Sequence, residues 1–130
     1  MATSSSSPTG SDIGQIALTI SDVTKAKAFY QGILGLKLLF DAGPNLSFLA
    51  AGPVRLMLTT PQGSGEVGKN SILYFRIVAL ESTYQSFVAA GATPERPPQL
   101  AAKLPEHELW IGFLRDPDGN LVGLMEEKRN

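Results

Sequence analysis

The chain has 130 residues, a formal net charge of −1 and no cysteine. That length suits one domain with a real core, and the missing thiols exclude disulfides, thiolate metal sites and cysteine nucleophiles. The balanced charge gives no electrostatic basis for nucleic acid or an anionic membrane as partner, and no apolar run approaches the roughly 20 residues that span a bilayer.

The opening residues 1–12, MATSSSSPTGSD, lack the basic and apolar regions of a signal peptide. Ser, Thr, Gly and Pro bury too little surface to offset ordering entropy, so a disordered arm and a cytoplasmic location are expected. A first module over 13–60 begins with the strand GQIALTIS, whose Gln15, Ala17 and Thr19 alternate with Ile16, Leu18 and Ile20. Next, DVTKAKAFYQGILG places Ala26, Phe29, Tyr30 and Ile33 at i, i+3, i+4 and i+7, an amphipathic helix with Asp22 as N-cap and Gly35 as stop. LKLLF, LSFLAA and VRLMLTT, parted by AGPN and GP, predict three strands.

Residues 61–69 are glycine-rich and aperiodic, as a linker is. A second module over 70–127 then repeats the order. SILYFRIV is a strand, and ALESTYQSFVAAGA a helix with Leu80, Tyr84, Phe87 and Val88 on one side and Gly91 as stop. A short piece near Thr93 precedes a proline-rich loop over 94–104 with the length of a lid. The strand ELWIGFLR, the turn DPDGN and the strand LVGLMEE complete it. In DPDGN, Pro117 presets φ, Gly119 accepts turn geometry and Asp116 can bond back to nearby amides, so Asp116 and Asp118 read as turn residues and not as catalytic carboxylates. The fold class is therefore α+β: two βαβββ modules with curved mixed sheets facing a common cleft.

This order, with ISDVTKAKAFYQGILGLKLLF in the first half and FLRDPDGNLVGLME closing the second, resembles the vicinal oxygen chelate superfamily, which includes glyoxalase I, bleomycin-resistance proteins and extradiol dioxygenases. The resemblance implies small-molecule chemistry in the cleft, and for metal-dependent members a set of His, Gln or Glu ligands on inward strand positions. Those positions carry Gln15, Met57, Ile72 and Gly123 here. One amide oxygen and a thioether do not make the three imidazole or carboxylate ligands that a catalytic divalent ion needs. No metal ligand and no cofactor is therefore expected. A divalent metal enters only if the assignment slips by a residue or two toward Glu126 or Glu127.

Carrying the alternation outward from those positions gives a candidate lining of Gln15, Ala17, Arg55, Met57 and Thr59 from the first module. The second contributes Ile72, Tyr74, Arg76, Gly123 and Met125. Their neighbours on the other face (Ile16, Leu18, Leu56, Leu58, Leu73, Phe75 and Ile77) are all apolar and suit the helix-packed core. Arg55 and Arg76 have the fork geometry for a carboxylate or phosphate, or extend into water from strand ends. Trp110 and Phe48 are pocket walls or core. His107, the one histidine, stands at a strand entrance as a hydrogen-bonding residue or an acid–base group.

The function expected is a glyoxalase/bleomycin-resistance-like protein that binds a small organic molecule, anionic or neutral, in the cleft between the modules through Gln15, Arg55, Met57, Tyr74, Arg76 and Trp110, without catalytic metal. The alternatives are a metal-dependent lyase or dioxygenase of the superfamily, or a metal-free isomerase or lyase using His107. A homodimer is the expected assembly, since the exposed edges of such sheets need protection.

Overall fold

The computed structural model describes residues 12–63 and 65–129. The arm expected over 1–12 lies, but for Asp12, outside them. The first module comprises strand β1 (Gln15–Thr19), helix α1 (Val23–Lys27), and strands β2 (Lys37–Asp41), β3 (Leu46–Ala51) and β4 (Val54–Thr59). The second comprises β5 (Leu73–Arg76), helix α2 (Leu80–Ala89), β6 (Thr93–Lys103), β7 (His107–Arg115) and β8 (Leu121–Arg129). Each module folds into a four-stranded mixed sheet, in the orders β1-β4-β3-β2 and β5-β8-β7-β6. In both, the first strand runs parallel to the last and the other pairs are antiparallel. The α+β class with two βαβββ modules is the one the sequence led us to expect.

The helices begin and end for local reasons. The Asp22 side chain accepts from the Lys25 amide, the expected N-cap. From Ala28 to Ile33 the helix widens to π geometry, and Gly35 ends it at φ 82°. Helix α2 starts differently. Ala79 stands before it in left-handed backbone (φ 53°, ψ 58°) with no cap of its own. The Glu126 carboxylate reaches across from β8 instead, accepting from Ala79 N at 3.1 Å and Leu80 N at 3.0 Å. A carboxylate there satisfies orphan amides and complements the helix dipole.

The alternation of apolar residues fixes which sheet face each helix covers. Leu18, Leu49, Leu56 and Leu58 of the first sheet, Leu114, Val122 and Leu124 of the second, and Val23, Ala26, Phe29, Tyr30, Leu80 and Tyr84 of the helical segments all belong to one continuous core. Burying such side chains contributes about 1.5–3 kcal/mol each.

Three contacts tie the modules together. Tyr30 Oη donates to Asp116 Oδ2 at 2.7 Å. The Ser21 amide and hydroxyl donate to the two oxygens of Asp118, at 3.0 and 2.5 Å. Asn70 accepts from Thr19 N and donates to Thr19 O, both at 3.0 Å, and donates to Asn120 Oδ1 at 3.1 Å. Residues 61–70 are thus anchored at their second-module end.

One expectation is corrected. The proline-rich stretch read as a loop over 94–104 is strand β6, at the outer edge of the second sheet. An edge strand needs only alternate amides, so Pro94, Pro97 and Pro98 are tolerated there. Register shifts between Pro94 and Arg96, Arg96 and Gln99, and Leu100 and Ala102 absorb the rest.

Candidate functional site

Each sheet has one face covered by helix and core, and one open face. On the first sheet the open face carries Gln15, Ala17, Arg55 and Met57, as expected, because Gln15 pairs with Arg55 and Ala17 with Met57 in register. Met57 in turn pairs with Phe48, and Phe48 with Phe40. Phe40 and Phe48 stack with centroids 4.5 Å apart and 28° between planes, and the Arg55 guanidinium lies over Phe48 at 5.0 Å. Gln15 Oε1 accepts from Arg55 Nε at 2.6 Å while its Nε2 sits 3.6 Å from Met57 Sδ. One side-chain amide therefore orients both neighbours. Phe48 is buried yet outside the helix-packed core; Phe40 and Arg55 cover it. Thr59, expected in the lining, is buried and turns its hydroxyl to Thr60 O at 2.9 Å.

The second open face is a matching row. Tyr74 pairs with Gly123, Gly123 with Phe113 and Phe113 with Arg96. The Tyr74 ring lies directly on Gly123: a Cβ there would stand 2.7 Å from Cε2 and 2.9 Å from Cγ. Phe113 meets Tyr74 edge to face at 5.8 Å, and the Arg96 guanidinium lies over Phe113 at 5.7 Å. Arg76 and Met125 are the next pair along the same face. Each of these contacts stays within its own sheet. Phe48 and Phe113 hold the same place in the two sheets, on the third strand opposite Met57 and Gly123 respectively.

Trp110 does not belong to this set. It pairs with Glu126, on the covered side, and packs against the core. Its Nε1 donates to Glu108 at 3.0 Å and Lys128 Nζ sits 4.5 Å over its ring. The aromatic on the open face of that strand is Phe113, and the arginine beside it is Arg96; the sequence reading named neither.

His107 stands at the start of β7 on the open side, since Leu109 two residues on pairs with Glu127, and Ile111 with Met125. Its Nε2 is 3.3 Å from Glu127 Oε2. Glu127 is an acid of this face, and Glu126, its neighbour, is spent on α2.

A cavity of about 510 Å³ does lie between the modules, but its walls are Ile16, Leu34, Leu56, Leu73, Phe75 and Leu124 among others. These are covered-face residues. Of the expected lining, only Tyr74 and Arg76, from the edge strand β5, border it. The remaining open-face residues lie outside it because the modules join through the core beside their helices. Phe40 and Tyr74 accordingly stand 46% and 47% exposed.

A catalytic divalent ion does not fit the four positions. Ile72 and Gly123 offer no donor, Tyr74 fills the space above Gly123, and the Gln15 oxygen is taken by Arg55. Among the described residues no group of three or more His, Cys, Asp or Glu converges. Nor is any helix among them long and apolar enough to cross a membrane.

Comparison with known proteins agrees with this architecture. No curated protein matches. The chain is similar to lactoylglutathione lyase from Agrobacterium tumefaciens, with 26% identity, 89% of this chain and 93% of that one covered, and a TM-score of 0.73. It shares its fold with an antibiotic binding protein from Streptomyces sp. CB03234, at 22% identity, coverage of 92% and 98%, and a TM-score of 0.74. A V. Cholerae integron cassette protein matches at 22% identity, coverage of 89% and 94%, and a TM-score of 0.74. The family model for the glyoxalase/bleomycin resistance protein/dioxygenase superfamily matches residues 12–124. With that match spanning nearly the whole of both βαβββ modules, the chain belongs to the glyoxalase/bleomycin resistance protein/dioxygenase superfamily.

Proposed function

We propose that this protein binds a small organic molecule on the open faces of its two sheets, and does so without a catalytic metal. The observation that carries the reading is Tyr74 lying on Gly123, with Gln15 committed to Arg55. Where a metal site would need carboxylate and imidazole, this chain has an aromatic ring on Gly123 and an amide bonded to a guanidinium. Such mixed apolar ground with a few polar groups is the usual character of a small-molecule site. The likeness to an antibiotic binding protein supports sequestration as the mode.

The working assembly is a homodimer in the cytoplasm. Ile72, Phe40 and Tyr74 are each more than two-fifths exposed on one chain. Pairing the first sheet of one copy with the second sheet of another would cover them and close the site.

The test is metal retention combined with titration. Protein stripped with chelator, offered Mn, Fe, Ni and Zn in turn and desalted should retain far less than one ion per chain. Retention near one would overturn the reading and require ligands other than the four matched positions. A metal-free acid–base enzyme is the second reading, favoured by the His107–Glu127 pair on the open face. Turnover lost in His107→Gln but retained in chelator would move it to first place.

A further inference from the structure

We infer that the ligand is a planar aromatic anion, bound with its ring against Phe40–Phe48 or Tyr74–Phe113 and its acidic group on Arg55 or Arg96. This rests on the binding reading above and narrows it to a chemical class. The two sheets arrived at one device by different residues. On each, a phenylalanine on the third strand sits under a guanidinium and beside a second ring. The guanidinium comes from β4 in the first sheet and from β6 in the second. The exposed rings of Phe40 and Tyr74 offer a stacking surface, and flat ligands gain most from it.

These faces carry unpaired positive charge. Arg55, Arg76 and Arg96 have no acidic partner among the described residues. The acids on this side are engaged with other cations: Glu127 lies beside His107, Glu95 pairs with Arg115 and Glu106 with Arg129. In a protein whose formal net charge is −1 this is local enrichment, not general basicity. A guanidinium lying over a ring, with Nε already bonded as in Arg55, still has its Nη groups for fork pairing with a carboxylate or sulfonate. A cationic ligand would meet like charge there. A saturated one would forgo the ring contacts.

Calorimetric titration of the full chain with three probes of equal size decides the matter: 2-naphthoate, 2-naphthylmethylammonium and decahydro-2-naphthoate. The expected result is that 2-naphthoate binds at least about tenfold tighter than either of the others. Arg55→Gln and Arg96→Gln together should weaken it by about tenfold or more, with the far-ultraviolet circular dichroism of the folded chain unchanged. Equal or tighter binding of the cation or the saturated anion overturns the aromatic-anion class and leaves small-molecule binding standing. Unchanged affinity in the double variant also overturns it, since the probe would then sit elsewhere. If none of the three binds, the aromatic-anion class falls, and the binding reading is left to its own test.

Discussion

The ring of Tyr74 occupies the space that any side chain at Gly123 would need, so residue 74 on the first strand of the second sheet dictates residue 123 on the last. Adding a methyl group at 123 forces the ring aside. Gly123→Ala should therefore lower unfolding stability in urea by about 1–3 kcal/mol. Tyr74→Ala should cost less, because that side is half exposed, and the double variant should recover part of the loss. A coupling free energy of about 0.5–3 kcal/mol is expected from the cycle. Strict additivity would show that the ring moves aside without cost, and the argument against a ligand at 123 would weaken with it.

Tyr30 and Asp116 supply a pH prediction. Burial first, and then the Asp116 carboxylate, push the Tyr30 phenol well above its usual range. In the unfolded chain it ionises near its ordinary value of about 10. The folded state thus holds a proton that the unfolded state releases above that point. The resulting stabilisation is complete below pH 10 and is lost as pH rises toward the folded value. Tyr30→Phe should cost about 1–3 kcal/mol at neutral pH, the value of a hydrogen bond to a charged acceptor. Above pH 10 its deficit relative to the native chain should shrink by about 1.4 kcal/mol per pH unit. Denaturation curves between pH 8 and 11.5 check this, and a constant deficit across that range would refute it.

Much of this was legible in the sequence, and the reasons for the remainder are physical. Strict alternation in QIALT and VRLMLT separated Gln15, Ala17, Arg55 and Met57 from Ile16, Leu18, Leu56 and Leu58, and the structure sorts them the same way. Trp110 takes the second of its two expected places, packed on the core, and counting outward from DPDGN shows why. That turn closes with Asp116 N to Asn120 O at 2.9 Å, which pairs Arg115 with Leu121 and then Phe113 with Gly123. Phe113 could have been found in that way. Arg96 could not, because register shifts on either side of it break the count along β6. The role of Asp116 was half seen. It accepts from Asp118 N, Asn120 N and Asn120 Nδ2 as a turn residue does, but the fourth donor, Tyr30, comes from the other module. No local pattern announces a partner 86 residues away. How two sheets are disposed is likewise a property of the joined core and not of either strand pattern.

Glu126 shows how a residue proposed as a displaced metal ligand acquires a structural use. Its two oxygens serve the first amides of α2, at a helix start whose preceding residue, Ala79, is left-handed. Removing the carboxylate in Glu126→Ala should cost about 1–2 kcal/mol, as loss of an N-cap does. Glu126→Gln keeps one acceptor and should cost less. Ala79→Gly should offset part of either loss, since glycine adopts the left-handed backbone without the Cβ penalty. Urea midpoints at constant slope would check the series. An unchanged midpoint in Glu126→Ala would mean water caps the helix equally well.

Asn70 gives the sharpest test of how the modules are joined. Its amide imitates a neighbouring strand to Thr19, accepting from the amide and donating to the carbonyl, while the same nitrogen reaches Asn120. Asn70→Ala leaves both backbone groups of a buried strand end without their partner, which should cost about 1–3 kcal/mol. Hydrogen exchange at the Thr19 amide should quicken in proportion. Asn70→Asp separates the two halves of the contact: the acceptor for Thr19 N remains, whereas both donated bonds are lost. The Thr19 amide should then stay protected from local opening although global stability falls. If exchange at Thr19 tracks global stability alone in both variants, Asn70 acts only through overall folding. Faster exchange confined to Thr19 in Asn70→Ala would instead assign Asn70 to holding the end of β1 against the second module, and with it the spacing between the two open faces.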